Sequence, residues 1–113
     1  NAAIESITLL KNEGNVLPLS AKQKVLIAGP ASDNLIYLNG AWTHTWQGVD
    51  TSYNTKGCLT IRQAFEQKIG KENCLFSKGA EIYSEADFEK TRFVDLADYK
   101  QKLGQADVVV LCL

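Results

Sequence analysis

Two tryptophans and one histidine stand close together in the stretch from Gly29 to Gly48. They are Trp42, Trp46 and His44, and the chain contains no other tryptophan or histidine. An indole ring offers a flat apolar face with an N–H at its edge, and the C–H face of a sugar ring packs well on such a surface. Side chains that could bind sugar hydroxyls flank the rings: Asp33, Asn34, Asn39, Thr43, Thr45 and Gln47. The stretch therefore predicts one wall of a carbohydrate site, although packing of both rings onto the protein body remains an open alternative.

Other kinds of chemistry have weaker support in the sequence. His44 has no neighbouring cysteine or carboxylate, which favours a hydrogen-bonding role over that of a metal ligand or base. The three cysteines, Cys58, Cys74 and Cys112, are far apart and lack C-x-x-C spacing, so we expect no metal site and no redox site. The residues after the first strand contain neither G-x-G-x-x-G nor G-x-x-x-x-G-K-[ST], which argues against dinucleotide binding. We expect no cofactor.

The elements that must position this stretch alternate between helix and strand patterns. The apolar run Val25–Ala28 predicts a buried strand, and about twenty residues without a helical or strand period follow it; ordered loops longer than about 12–15 residues are uncommon and often functional. The other predicted elements are a helix over Ala2–Asn12, a bend at Pro18, a helix capped by Thr60 and closed by Gly70, a strand over Asn73–Ser77, a charged turn or loop over Ser84–Lys90, a helix over Asp95–Leu103, and a strand over Asp107–Leu113.

This alternation predicts an α/β fold, a layered α/β/α sandwich with a mostly parallel sheet. About three strands and three helices are present, so we expect the sandwich to be incomplete. The continuously apolar run Asp107–Leu113 is typical of a central strand covered on both faces, and such a strand would need further chain to cover it. We therefore expect one partial domain over residues 1–113, with an entry helix and bend over 1–20 and the sheet portion over 21–113. Ligands of parallel sheets bind at the carboxyl ends of the strands, where the tryptophan stretch begins.

Composition excludes two classes of partner. With 12 basic and 13 acidic residues the net charge is −1, and no basic stripe is present, so we expect no nucleic-acid partner. No apolar run approaches the roughly 20 residues that span a bilayer, so we expect no membrane partner.

Five segments that together cover most of the chain resemble one known family. They are Ala2–Leu19 (AAIESITLLKNEGNVLPL), Lys24–Asn34 (KVLIAGPASDN), Asn39–Gly48 (NGAWTHTWQG), Thr60–Gly70 (TIRQAFEQKIG) and Ala106–Leu113 (ADVVVLCL). The third is similar to a G-G-W-T-x-x-W-Q-G motif, with Ala41 in place of the second glycine. The family is glycoside hydrolase family 3, which contains β-glucosidases and β-xylosidases.

The resemblance implies a retaining, exo-acting β-glycosidase that uses two carboxylates. In the family, a (β/α)₈-type barrel carries the aspartate nucleophile, and in many members the acid/base glutamate follows the strand that resembles ADVVVLCL. Neither position lies in these 113 residues, so we expect no catalytic residue here. The resemblance does not match any of the carboxylates Glu13, Glu81, Glu85 and Glu89 to the acid/base. It points to a periplasmic or secreted enzyme.

The resemblance also assigns roles within the loop. Trp42 matches a tryptophan that stacks, in some members, on the sugar beyond the cleavage point, and Trp46 is expected to brace the loop by packing. Asp33 and Asn34 are weaker candidates for the substrate-binding wall and are expected to shape the loop near the domain interface. The expected partners are a β-linked oligosaccharide or glycoside, the amino-terminal barrel domain, and a second copy of the fragment. The alternative is a freestanding, non-catalytic α/β module that binds a carbohydrate or a protein through the tryptophan loop.

Overall fold

A computed structural model describes residues 2–82 and 91–113 of the chain. Its helices and strands follow one another as α1 (Ala2–Glu5), β1 (Val25–Ala28), α2 (Ile61–Ile69), β2 (Cys74–Phe76), β3 (Ala80–Ile82), β4 (Thr91–Phe93), α3 (Leu96–Leu103) and β5 (Val108–Leu111). Short 3₁₀ turns lie at Glu13–Asn15, Ile36–Leu38 and Thr51–Tyr53. No helix in these ranges is long and apolar enough to cross a membrane.

The centre of the fold is a three-stranded parallel sheet with the order β2-β1-β5. Val25 of β1 pairs with Cys74 of β2 on one side and with Val108 of β5 on the other. Every residue of β1 is buried, as its uninterrupted apolar sequence predicts for a strand covered on both faces. The parallel sheet and the alternation of helix and strand confirm the expected fold class, an incomplete layered α/β sandwich.

The two longer helices cover different faces of the sheet. Successive strand residues point to opposite faces. On one face, Val25 and Ile27 form the buried core with three residues of α2, namely Ile61, Phe65 and Ile69. On the other, Ala28 and Leu111 border a cavity of about 190 Å³ together with Leu96 and Tyr99 of α3.

Local signals account for the ends of α2. Thr60 Oγ1 accepts a hydrogen bond from the backbone N–H of Gln63, whose side chain accepts in turn from the Thr60 N–H. This reciprocal capping box satisfies two N–H groups that would otherwise lack partners, and Gly70 closes the helix with a positive φ of 85°. Both predicted ends are confirmed. The predicted helix over Asp95–Leu103 is also present, beginning one residue later at Leu96.

The predicted helix over Ala2–Asn12 is wrong beyond Glu5, where α1 ends. Its apolar face is real in the sequence, but Ile7 and Leu10 are 78% and 91% exposed. A short helix gains most of its stability from packing, and no described residue packs against this face. The following bend contributes Leu19 to the core, whereas Val16 and Leu17 remain exposed.

Two further expectations about strands need correction. β5 is an edge strand of the described sheet and not its centre, and its residues alternate between half-buried and exposed. The central position belongs to β1. β3 and β4 form an antiparallel pair that was not predicted from the sequence, with Glu81 opposite Arg92. The charged segment predicted over Ser84–Lys90 lies outside the described residues.

Candidate functional site

The tryptophan loop, residues 29–48, leaves the sheet at the carboxyl end of β1. Gly29 has a φ of 96°, and a Cβ at this position would overlap the carbonyl oxygen of Cys112. Ser32 is fully buried, and its Oγ donates to the Gly29 carbonyl at 2.5 Å. The Ala31 N–H donates to the Cys112 carbonyl at 3.2 Å. The loop is therefore bonded to the end of β5 from its first residues.

Asp33 ties the base of the loop to α2. One carboxylate oxygen accepts from Thr60 Oγ1 at 2.7 Å, and the other pairs with Nη1 of Arg62 at 3.0 Å. The Arg62 backbone N–H donates to the Ser32 carbonyl at 2.9 Å. Because both oxygens of Asp33 bind α2, the structure gives this residue an architectural role, and its contact with substrate stays a prediction.

Arg62 carries several of these contacts at once. Its Nε pairs with Glu66 at 2.9 Å, and its guanidinium lies over the Phe76 ring, 4.4 Å from the ring centre. The hydrogen bond to Glu66, followed by the charge of Asp33, raises the pKa of Arg62 above its ordinary value against the effect of partial burial. This side chain connects the loop base, α2 and β2.

Asn34 shapes the next part of the loop. Its Oδ1 accepts from the Ile36 backbone N–H at 2.9 Å, which starts the turn Ile36–Leu38. Asparagine often makes this local bond to the backbone two residues ahead. The contact agrees with the expected role in loop shape, and a direct contact with substrate is again untested.

Asn39 and Gly48 form the neck of the loop, the junction that joins the two ends of the segment carrying both tryptophans. Nδ2 of Asn39 donates to the Gly48 carbonyl at 3.1 Å and to Oδ1 of Asn54 at 3.2 Å. Gly48 is buried with a φ of 71°, and a Cβ there would overlap the Gly40 carbonyl oxygen. Only glycine fits this close approach.

The tip of the loop presents both tryptophans to the outside. Trp42 is 77% exposed and Trp46 is 70% exposed. The Trp42 backbone N–H donates to the Trp46 carbonyl at 3.0 Å, so the two residues brace each other through the main chain. The expectation that the Trp46 ring braces the loop by packing stays a prediction. Ala41, which replaces a glycine of the motif, lies on backbone of ordinary φ, so its methyl group causes no strain.

His44 stacks on Tyr53, which the sequence analysis did not single out. The ring centres are 5.8 Å apart and the planes differ by 19°. Tyr53 lies in the turn Thr51–Tyr53, where Asp50 accepts from the Ser52 N–H at 2.9 Å. Hydrogen bonds with the side chain and then the backbone of Ser52 lower the pKa of Asp50. The one available signal for Tyr53 was an aromatic residue in an otherwise polar segment. The stack agrees with a structural role for His44.

The described cysteines and carboxylates outside the loop differ in exposure and in their partners. Within residues 2–82 and 91–113, no group of three or more His, Cys, Asp and Glu side chains could hold a metal ion. Cys58 is exposed, whereas burial raises the pKa of the Cys74 and Cys112 thiols. Glu13 pairs with Lys11, and Glu81 pairs with Arg92. Glu85 and Glu89 lie outside the described residues.

The fold and the loop define a class of α/β domain with loops at the carboxyl edge of a parallel sheet, the edge where ligands of such sheets generally bind. Residues 7–113 match the glycosyl hydrolase family 3 C-terminal domain. The chain belongs to this family, as its resemblance over five sequence segments led us to expect.

Curated relatives of the chain are described as β-glucosidases. A lysosomal beta glucosidase of Dictyostelium discoideum is 50% identical over 48 residues, which cover 41% of this chain and 6% of the relative. A probable beta-glucosidase J of Emericella nidulans is 37% identical over 78 residues, 69% of this chain and 8% of the relative. A probable beta-glucosidase I of Aspergillus clavatus is 30% identical over 84 residues, 74% of this chain and 9% of the relative. The chain thus spans less than a tenth of the length of these relatives.

Proposed function

We propose that this chain is part of a retaining, exo-acting β-glycosidase that hydrolyses O-glycosidic bonds in β-glucosides or related glycosides. The observation that carries the proposal is family membership over residues 7–113, together with β-glucosidase relatives. The chain itself supplies a wall of the site and no catalytic carboxylate. The family resemblance assigns the nucleophile to the barrel domain and the acid/base to a loop beyond β5.

Within the enzyme, the tryptophan loop shapes the aglycone-side subsite, where the group beyond the cleaved bond binds. Trp42 supports this role because its ring is exposed on a loop whose base and neck are both hydrogen-bonded. The ring stacks on the aglycone. Trp46 is the weaker candidate for direct contact.

The order of strands also supports a role for this segment beside the acid/base. β1 and β5 are adjacent and parallel, with Ala28 opposite Leu111. The Cys112 N–H donates to the Ala28 carbonyl at 2.8 Å. A loop that follows β5 therefore leaves the sheet at the same edge as the tryptophan loop, and the acid/base would face the aglycone across that edge.

The barrel domain is the proposed partner of the amino-terminal segment. Ile4, Ile7 and Leu10 are all more than two-thirds exposed. Apolar groups of this size are favourable to bury, at about 25 cal/mol per Å² of apolar surface. Contact with the barrel would cover them.

A non-catalytic module that binds carbohydrate through the tryptophan loop is the second candidate. The observation that favours it is the presence of two exposed tryptophans, Trp42 and Trp46, on one loop. Such a module would bind a β-linked oligosaccharide without cleaving it, whether alone or joined to the rest of its protein.

Hydrolysis of an aryl β-glucoside separates the two candidates. The full-length protein should release the sugar first as its β-anomer, seen by ¹H NMR before mutarotation, because double displacement retains configuration. The isolated 113-residue chain should release none. Binding without cleavage by the full-length protein would support the module, and the α-anomer as first product would overturn a retaining mechanism.

A further inference from the structure

Asn39 closes the loop that carries Trp42. Its single Nδ2 group reaches two acceptors, the Gly48 carbonyl at 3.1 Å and Oδ1 of Asn54 at 3.2 Å. The first bond joins the two ends of the segment that contains both tryptophans. The second joins that closed segment to the turn region around Asn54, whose neighbour Tyr53 stacks on His44.

The chemistry of the acceptors fixes the orientation of both amides. A backbone carbonyl can only accept a hydrogen bond, so the Asn39 atom that faces Gly48 must be the nitrogen. That nitrogen also faces Asn54, and the Asn54 atom it meets must therefore be the oxygen. Asn39 is the donor at this junction, and Asn54 is an acceptor.

The backbone between the two ends is held in an unfavourable conformation. Trp42 has a φ of 67° and His44 a φ of 60°, in the left-handed region that side chains with a Cβ rarely occupy. Such conformations are strained and persist where the surroundings impose them. In this loop the surroundings are the Asn39 junction, the Trp42–Trp46 backbone bond and the His44–Tyr53 stack. Because the φ of Trp42 sets the direction of its Cβ, the junction that holds this φ also aims the indole ring.

We propose that Asn39 is a positioning residue for Trp42. Its amide closes the loop against Gly48 and Asn54, and this closure orients the indole towards the aglycone. Asn39 therefore controls discrimination between substrates with a large aglycone and those without one. The proposal rests on the proposed function, since it requires Trp42 to contact the aglycone.

Isosteric exchanges test the donor and the acceptor separately. Asn39→Asp keeps the shape of the side chain but replaces its donor with an oxygen that faces two acceptors. Asn54→Asp keeps an acceptor oxygen, and Asn54→Ala removes it. Asn73→Asp is the matched control, because Asn73 also donates to two backbone carbonyls, those of Ala21 and Ile69, and lies outside the loop.

The measurement is kcat/KM of the full-length enzyme for an aryl β-glucoside divided by kcat/KM for β-glucosyl fluoride. The fluoride fills the sugar subsite but has no ring on the aglycone side. Asn39→Asp should lower this ratio roughly threefold to tenfold, the equivalent of about one lost hydrogen bond. Asn54→Ala should also lower the ratio, whereas Asn54→Asp should keep the ratio within about twofold of the wild-type value.

A double variant shows whether Asn39 acts through Trp42. In a Trp42→Ala background, Asn39→Asp should lower the ratio no further, because no indole remains to be aimed. Asn73→Asp should leave the ratio unchanged even if it lowers the melting temperature.

Two results would overturn the positioning role. The first is an unchanged ratio in Asn39→Asp, which includes an equal loss on both substrates, and the second is an equal further loss of the ratio in the Trp42→Ala background. If Asn39→Asp does not accumulate as folded protein, equal ratios for Asn54→Ala and Asn54→Asp would overturn it as well. An unchanged ratio in Trp42→Ala itself would remove the aglycone subsite along with the positioning role, whereas a lowered ratio there with an unchanged ratio in Asn39→Asp would remove only the latter.

Discussion

Asp33 and Asn39 are both polar residues of the tryptophan loop, and both bind the protein with the groups that a sugar could have used. Asp33 places one oxygen on Thr60 and the other on Arg62. Asn39 gives its donor to Gly48 and Asn54. Trp42, by contrast, keeps an exposed side chain. The side chains of Asp33 and Asn39 therefore hold the loop in place, whereas the Trp42 ring is exposed and can contact a ligand.

The exposure of the three cysteines predicts a clear order of chemical reactivity. Cys58 is exposed, whereas burial raises the pKa of Cys74 and Cys112, so these two thiols carry less of the reactive thiolate near neutral pH. In the folded protein, iodoacetamide should modify Cys58 first at about pH 7.5–8, up to roughly one unit below the pKa of a free thiol. Peptide mapping by mass spectrometry measures the order.

A Cys58→Ser variant is the control for this labelling. In it, Cys74 and Cys112 should stay slow until the protein is unfolded. Labelling of Cys74 or Cys112 as fast as Cys58 in the native enzyme would contradict the burial of β2 and of the residue after β5.

The hydroxyl of Thr60 joins the start of α2 to the base of the loop. Removing this hydroxyl therefore tests whether the two elements are connected through it. Thr60→Ala removes the helix cap and the hydrogen bond to Asp33 together, and should destabilise this region by about 1–2 kcal/mol. Hydrogen exchange should speed up both in the first turn of α2 and at the base of the loop.

Thr60→Ser is the matched variant, since it keeps the hydroxyl and removes only a methyl group. It should retain most of the protection at both places. Faster exchange in α2 alone, with an unchanged loop, would show that the Asp33 bond does not connect the two elements.

The stability of α3 should fall as the pH becomes acidic. The hydrogen bond and ion pair with Lys102 lower the pKa of Asp98 below its ordinary value, and the same Nζ donates to the Phe76 carbonyl of β2 at 2.7 Å. A lowered pKa means that the contribution of Asp98 is present above its unfolded-state pKa and is lost as the pH falls through the lowered value. Protection of α3 amides, corrected for intrinsic exchange, should therefore drop towards pH 3 (roughly one unit below the free carboxyl pKa).

Asp98→Asn removes the titrating group, so the protection of α3 should be lower near neutral pH and should vary less with acid. An acid dependence as steep as that of the wild type would show that another group controls α3.

At the same scale, the sequence predicted elements whose signals are local or whose partners lie within the chain. β1 follows from four consecutive apolar residues, and α2 from its cap at Thr60 and its closing glycine. The predicted helix over Ala2–Asn12 was wrong beyond Glu5. A short amphipathic helix is stable only when its apolar face packs against other residues, and no described residue packs against this one. The pairing of β3 with β4 was missed because each strand has only three residues.

The sequence indicated which aromatic residues of the site could contact a ligand, but not which contacts hold the loop in shape. Trp42 and Trp46 are conspicuous as residue types beside many polar neighbours. The Asn39–Asn54 and Asp33–Arg62 contacts join residues 15 and 29 positions apart without any periodic pattern. Only the fold brings these pairs together, so the sequence could not separate residues that hold the loop from residues that face a ligand.

For the whole molecule, the isolated chain leaves substantial apolar surface uncovered. Val109 and Leu111 are exposed on the edge strand β5, and Ile7 and Leu10 are exposed near the amino terminus. Exposed strand edges pair readily with other chains. We expect the isolated 113-residue chain to associate with itself as concentration rises, measured by sedimentation velocity.

Val109→Lys offers a specific check, because a lysine on an edge strand disfavours pairing. It should reduce the association of the isolated chain. A wild-type chain that remains monomeric and unfolds cooperatively would instead fit a freestanding module.

The central claim is that Trp42 contacts the aglycone in a β-glycosidase, and substrate discrimination by the full-length enzyme tests it most directly. Trp42→Ala should lower kcat/KM for an aryl β-glucoside by about tenfold, which corresponds to roughly 1.4 kcal/mol of lost stacking. It should leave kcat/KM for β-glucosyl fluoride within about twofold, and Trp46→Phe should change neither value by more than that, roughly 0.4 kcal/mol. Equal losses on both substrates, or a Trp46→Phe effect as large as that of Trp42→Ala, would contradict the account.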